Sequence, residues 1–372
     1  MTTTYPGVYI KEQNQLSPSV SHYNTAVPAF AIDVEAQTLL GIDKAKRIDN
    51  YMDYQKLLTN RRLSHDIESQ KTITKDKGMN QLNNCMRTYF DNGGGYCYLI
   101  QTDQLVTEVL KHDDITLLVA AGQNLAAAAN ILAQGNNLFA ILDGPKSEID
   151  TRYKLTEGID GWHNMGGSQY AAAYYPWLTA DWTVDDIPPS AAIAGAYCKN
   201  DRKVGVWKAP ANIALVGVIP KYKVSDIVES AFIKEDSEAL NMIRRFNNGP
   251  SIIWGARTLK GSEQYRYVPV RRLFNSVEKD IKDAIKVVMF EPNSQRTWDA
   301  VRTSVTNYLT RLWGNGALMG TTPEDAFFVQ VGKNITMDQA DIKQGKMIVK
   351  VGMAAARPAE FIILKFTQNV AQ

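Results

Sequence analysis

The chain has only three cysteines, Cys85, Cys97 and Cys198, among 372 residues. They are too few and too widely spaced for a disulfide framework, and they imply folding in a reduced compartment. Its four histidines, His22, His65, His112 and His163, never fall at H-x-x-H or H-E-x-x-H spacing. No C-x-x-C pair occurs either, so neither a metal nor another cofactor is expected. There is no apolar run of about 18 residues, so no membrane-spanning helix and no direct membrane insertion are expected. The opening Met1-Thr2-Thr3-Thr4-Tyr5-Pro6-Gly7 has neither a basic n-region nor an apolar h-region. Synthesis in the cytoplasm without a Sec signal peptide is the expectation. Charge of one sign is missing too. Lysine and arginine number 41 against 39 acids, a net of +2, which argues against the concentrated basic face of a nucleic-acid binder.

What is present is ordinary globular material, 45% hydrophobic and 22% charged, long enough for two or three domains. The reading is α/β, α+β overall. Residues 1–20 form an extended arm, 21–203 an α/β domain, 204–356 a mixed sheet-and-helix domain, and 357–372 a C-terminal arm strand. In the first domain, helices are predicted over Met79–Phe90, Leu125–Leu132 and from Pro188-Pro189-Ser190 to about Lys199. Strands are predicted over Tyr96–Ile100, Ile115–Ala120, Leu138–Leu142 and Tyr170–Tyr175. Strands alternating with helices favour a largely parallel sheet. Loops and small elements are expected from 204 to 250.

Beyond 250, strands are predicted over Ser251–Leu259 and Tyr265–Leu273. An amphipathic helix follows, with Phe274, Val277, Ile281, Ala284 and Val288 inward and Lys279, Asp280, Lys282, Asp283 and Lys286 outward. A second helix has Asn293 or Ser294 as N-cap, the stripe Trp298, Val301, Val305, Tyr308 and Leu312, and Gly314 as its stop. Phe327–Val331, Lys346–Val351 and Phe361–Thr367 read as strands, and Met337–Gly345 as a short helix. The N-terminal run Tyr5, Pro6, Gly7, Val8, Tyr9, Ile10 is a strand with no local hairpin partner. About 15 extended residues reach roughly 50 Å, enough for a neighbouring copy, although pairing with its own domain is an equal alternative.

No catalytic signature emerges. Gly93-Gly94-Gly95 follows a predicted helix and precedes a strand, the reverse of a phosphate loop. Gly166-Gly167-Ser168-Gln169-Tyr170 lacks the second glycine of a nucleophile elbow. Asp113-Asp114 and Asp185-Asp186 are sequence neighbours that do not face the same way on a strand or helix. Arg244-Arg245 and Arg271-Arg272 are read as a solvated face or an intersubunit ion pair.

Several motifs, taken in order, resemble the tail sheath proteins of contractile phages and related injection particles. They are residues 4–12 (TYPGVYIKE), 206–212 (VWKAPAN), 254–259 (WGARTL) with 267–273 (YVPVRRL), 316–318 (GAL) with 323–329 (PEDAFFV), and 357–362 (RPAEFI). The compact length resembles R-type pyocin and extracellular injection-system sheaths. The resemblance implies a non-enzymatic subunit that stacks as hexameric rings around an inner tube protein and contracts. Its other partners would be baseplate and terminator or cap proteins, and it would belong to a phage tail or a released extracellular particle. In that frame 21–203 is the outer domain and 204–356 the sheath core facing the tube. Tyr5 to Ile10 and Pro358, Glu360, Phe361, Ile362, Ile363, Leu364 and Phe366 would be intersubunit arms. Lys333, Lys343 and Lys346 are candidate tube contacts or a solvated face. A minor ring or cap adaptor of the same particle is the alternative; an α/β enzyme is a distant one.

Overall fold

Short apolar runs alternating with helices build one large sheet. The computed structural model describes residues 20, 24–64, 77–133, 135–150, 167–233, 239–260 and 263–360. The chain divides into two units, Tyr23–Glu278 with Ala355–Gln372, and Met1–His22 with Lys279–Ala354.

The larger unit holds β1 (Pro28–Ile32), β2 (Lys46–Ile48), β3 (Cys97–Gln101), β4 (Leu117–Val119), β5 (Phe139–Asp143) and β6 (Ala171–Tyr175). It continues with β7 (Leu178–Ala180), β8 (Thr183–Ile187), β9 (Ile213–Leu215), β10 (Ile219–Pro220), β11 (Leu240–Arg245) and β12 (Ser251–Ile253). A nine-stranded sheet runs β2-β3-β1-β4-β5-β6-β11-β12-β9, and β10-β7-β8 form a smaller one. From β3 to β11 neighbouring strands are parallel, while β2 at one end and β12 and β9 at the other join antiparallel. The sheet therefore takes strands from both sides of residue 204.

Strand residues alternate between two cores. Phe30, Ile32, Leu117, Val119, Phe139, Ile141, Ala172 and Tyr174 enter one. Ala29, Ala31, Leu118, Ala140, Leu142, Ala171, Ala173 and Tyr175 enter the other. On the first face lie α1 (Val34–Leu40), α2 (Tyr51–Ser64), α3 (Lys77–Asp91) and, after two short helices, α6 (Pro189–Lys203). Those two, α4 (Leu105–Glu108) and α5 (Ala126–Ala133), cover the second face. Burial on both faces is what a parallel sheet requires. Helices α3 and α6 approach closely at Gly195, where a Cβ would lie 2.4 Å from the Tyr89 carbonyl oxygen.

Past residue 204, the expected loops hold a short helix, α7 (Asp226–Ala231), and β11, a full sheet strand. Its sequence, LNMIRR, hides its nature. Leu240 and Met242 enter one core, Ile243 the other, and the buried Asn241 binds the carbonyls of Ala173 and Arg257.

The predicted strand over 265–273 is instead the start of α8 (Val268–Ile285). Valines at 268 and 270 suggest a strand, but Pro269 sits in the first helical turn, which tolerates a missing N–H. The predicted strand over 251–259 keeps only β12 and an isolated Arg257–Tyr267 bridge.

In the smaller unit, α9 (Gln295–Gly314) buries Trp298, Val301, Val305, Tyr308 and Leu312, as the periodicity predicts. Ser294 stands at the N-cap position without a capping side-chain bond. Asn293 instead accepts from Trp298 Nε1 at 2.7 Å. Asp280, expected on the solvent face, is buried and accepts the Tyr308 hydroxyl at 2.6 Å. After α10 (Pro323–Ala326) come β13 (Phe327–Gln330), α11 (Gln339–Lys343) and β14 (Lys350–Met353). The last strand starts later than the sequence suggests, because Lys346 N–H is turned back onto Asp341 O at the end of α11.

Asp143 ends β5 inside the larger unit. It accepts from Ser190 N at 2.7 Å, Ser190 Oγ at 2.9 Å and Gly122 N at 2.8 Å. Burial outweighs these donors and pushes its carboxyl up to about 6. The folded state thus holds this proton more tightly than the unfolded chain. Its contribution to stability is complete below about pH 4 and is lost as pH rises through 6. Relative to Asp143→Asn, wild type should lose about 2 kcal/mol between pH 4 and 7 in urea titrations. A pH-independent difference would contradict this assignment.

Candidate assembly surfaces

The parallel strands β3-β1-β4-β5-β6 follow the 2-1-3-4-5 order of a doubly wound sheet, whose ligand crevice lies at the carboxyl ends beside β1 and β4. Here the chain's own side chains occupy that place. Gln81 donates to Ala121 O at 2.8 Å, and Asp33 caps α1 through Ala36 N at 2.7 Å. Asp143 sits at the N-terminus of α6, where an anion would bind, and the bonds from Ser190 hold it there. Among the described residues no group of three or more His, Cys, Asp or Glu could hold a metal, and no helix is long and apolar enough to cross a membrane.

The smallest sheet among the described residues is β13–β14. They pair antiparallel, Phe327 with Met353, Phe328 with Gly352, Val329 with Val351 and Gln330 with Lys350. Among the described residues the sheet has these two strands alone. One face carries the buried Phe327 and half-buried Val329; the other carries Phe328, 45% exposed, and the exposed Gln330. Ala354 N–H donates to Ala326 O at 2.8 Å and its carbonyl accepts from Met319 N at 2.7 Å, which tie down one end. Arg302 donates to Val331 O at 3.0 Å at the other. A two-stranded ribbon is marginal by itself, and each outer edge is a template for a further strand.

Both terminal segments are tied down where their description begins. Val20 is buried, and its carbonyl accepts from Arg311 at 2.8 Å. Glu360 accepts two short bonds from the buried Arg257 of the same chain, Nε to Oε1 at 2.8 Å and Nη2 to Oε2 at 2.6 Å. Pro358 is half-buried beside it in sequence. The other sequence-predicted arm residues, Tyr5 to Ile10 and Phe361, Ile362, Ile363, Leu364 and Phe366, lie outside the described residues. Lys333, Lys343 and Lys346 are all exposed around α11, and Lys346 lies 3.7 Å from Asp341.

The arginine pair Arg271-Arg272 corrects the sequence reading, being neither solvated nor intersubunit. Both are 3% exposed. Arg272 pairs with buried Asp201 at 2.6 Å and donates to Thr25 O at 3.0 Å. Arg271 binds Asn275 at 2.8 Å and Glu278 at 3.0 Å and stacks on Tyr265. Arg244 pairs with Glu229 and Asp226, and Arg245 with the carbonyls of Asn248 and Gly249. Apolar neighbours on both sides, as in VPVRRL and GARTL, are the signal in the sequence that these arginines are interior.

A family model described as the phage tail sheath C-terminal domain matches residues 261–369. The sheath of the PVC extracellular contractile injection system, solved in the contracted state, is 49% identical over all of this chain and 99% of its own, with a TM-score of 0.85. The chain belongs to the contractile tail sheath family. A chain in the contracted baseplate of the anti-feeding prophage (AFP) is 42% identical over 99% of this sheath protein and 100% of its own length, at a TM-score of 0.84. A sheath tail protein of Desulfitobacterium hafniense shares the fold, at 10% identity over 87% of this chain and 93% of its own and a TM-score of 0.54. A search of curated protein sequences returned no match. The described α/β architecture is that of a sheath subunit, and so is the function.

The ribbon of this sheath protein depends on a glycine. At Gly352 a Cβ would lie 2.2 Å from Cε1 of Phe328, the ring that covers it across the strands. Gly352→Ala should displace that ring and cost about 1 kcal/mol. In a Phe328→Ala background the same change should become neutral or stabilising, because alanine is the better strand residue. Calorimetric melting of the four-protein cycle would show the change of sign; additive effects would contradict the contact.

Proposed function

We propose that this sheath protein polymerises as stacked hexameric rings around an inner tube. Contraction then drives that tube through a target envelope, with the chain working as part of an extracellular or phage-tail particle. The observation that carries this reading is the β13–β14 ribbon, two-stranded among the described residues, in a chain similar end to end to a contracted sheath. Strands containing Val8, Tyr9 and Ile10 of one neighbour and Phe361 to Phe366 of another complete the ribbon. Main-chain hydrogen bonds supply the affinity and alternate side chains the register. Head-to-tail exchange does not close on itself and grows a helical polymer.

Contraction is a change between two packings of the same subunits, with the arms keeping neighbours connected. Conformational energy stored in the extended packing does the work, so no catalysis is involved. The filled crevice of the larger unit supports a non-enzymatic role. The unit containing α9, α11 and the ribbon faces the inner tube, with Lys333, Lys343 and Lys346 as contacts. Exposed charge contacts are individually weak and salt-screened, which suits a grip that must release. Synthesis in a bacterial cytoplasm precedes assembly, and baseplate and cap proteins complete the particle. A second reading, a minor ring or cap adaptor, is favoured by the similarity to chains solved in AFP baseplates.

Deleting residues 1–12 should leave a monomer with its normal melting transition and abolish tubes in negative-stain micrographs. Regular tubes from the deleted protein would rule out the N-terminal strand. Long striated tubes from the intact chain indicate a main sheath, and single rings an adaptor. Changing all three lysines to glutamate should weaken co-sedimentation with the inner tube; unchanged binding would reject them as contacts.

A further inference from the structure

The described part of the C-terminal segment ends at Glu360, which is held at a built anchor on the larger unit. Residues 355–360 are all exposed or half-buried, but the Glu360 carboxylate is gripped. Arg257, 4% exposed, holds the carboxylate by two forked bonds, and the Tyr267 hydroxyl adds a third at 3.0 Å. Burial, with the neighbouring Glu360 charge, raises the Tyr267 phenol above its ordinary range, so it remains a donor. Arg257 is itself fixed. Its Nη1 donates to Ile233 O at 3.2 Å. Its backbone N–H and carbonyl both engage the Asn241 side chain on β11, at 2.7 and 2.8 Å. Gly255 lets this loop close on Asn241, since a Cβ there would lie 2.7 Å from Oδ1. The grip is therefore referenced to the central sheet, and a bidentate fork fixes direction as well as position.

We infer that Arg257, helped by Tyr267, is a positioning residue for assembly. By holding Glu360 it sets where and in what direction residue 361 onward departs toward a second copy of this chain. The inference rests on the strand-exchange reading above. Without the grip the tether lengthens by residues 355–359, roughly 17 Å of extra slack. A looser tether lowers the effective concentration of the strand at its acceptor.

The experiment uses the full chain with Glu360→Gln, Arg257→Lys, which keeps the charge but loses the fork, and a truncation after Glu360. Melting is followed by circular dichroism, and assembly by sedimentation and tube lengths in micrographs. Glu360→Gln and Arg257→Lys should melt as cooperatively as wild type, yet need about tenfold more protein to form tubes. Added in small amounts to wild type, Glu360→Gln should shorten its tubes, as the truncated chain does, because each accepts a strand but donates poorly. A variant with a purely structural defect would stay out of the polymer and leave tube lengths unchanged, which would overturn the inference. Normal tubes from Glu360→Gln, with the truncation inactive, would overturn the anchor and leave strand exchange standing. Normal tubes from the truncated chain would overturn strand exchange itself. Should Glu360→Gln lose its melting transition, Tyr267→Phe, which keeps the ion pair, should raise the assembly concentration about threefold. An unchanged concentration for Tyr267→Phe would overturn the inference as well.

Discussion

Backbone N–H and C=O groups on the outer edges of a two-stranded ribbon have no ladder partner within it. In water such a ribbon is marginal, and its edges are templates for pairing. The β13–β14 pair of this sheath protein is such a ribbon among the described residues. It is pinned at one end through Ala354 and at the other through Val331, which holds its edges in place. The proposed polymer rests on that one constraint, because an added strand pairs the edge groups that have no ladder partner among the described residues.

The larger unit is built in the opposite sense, with little left open. Its nine-stranded sheet is covered on both faces, and its polar interior is closed by matched groups: Arg272 with Asp201, and Asp143 with Ser190 and Gly122. Buried pairs of this kind are costly to break singly, which favours one conformation of the body. Such a body suits the proposed contraction, in which subunits slide and rotate as wholes. The same filling occupies the crevice where a doubly wound sheet commonly takes a ligand.

Much of this was legible in the sequence. The helical stripe from Trp298 to Leu312 and the short buried strands at 117–119 and 139–143 follow from periodicity and turn residues. Two kinds of feature were not legible. Val268-Pro269-Val270 has strand propensity yet opens a helix, because the interior takes Arg271 and Arg272 and the first turn tolerates proline. β11 carries an asparagine and two arginines, and its place in the sheet is set by partners such as Ala173 and Arg257, distant in sequence. Interior arginines and Asp280 look like surface charges until their partners are known. The family motifs were visible, but that GARTL and the RPAEF segment meet through Arg257 and Glu360 was not.

The central claim, that the ribbon is completed by neighbours, is tested most directly by hydrogen exchange on the same protein as monomer and as assembled tube. Peptides covering Phe327–Gln330 and Lys350–Met353 should exchange quickly in the monomer and become strongly protected in the tube, while β4 and β5 in the sheet centre stay protected in both. Equal exchange of the ribbon amides in the two states would contradict the account.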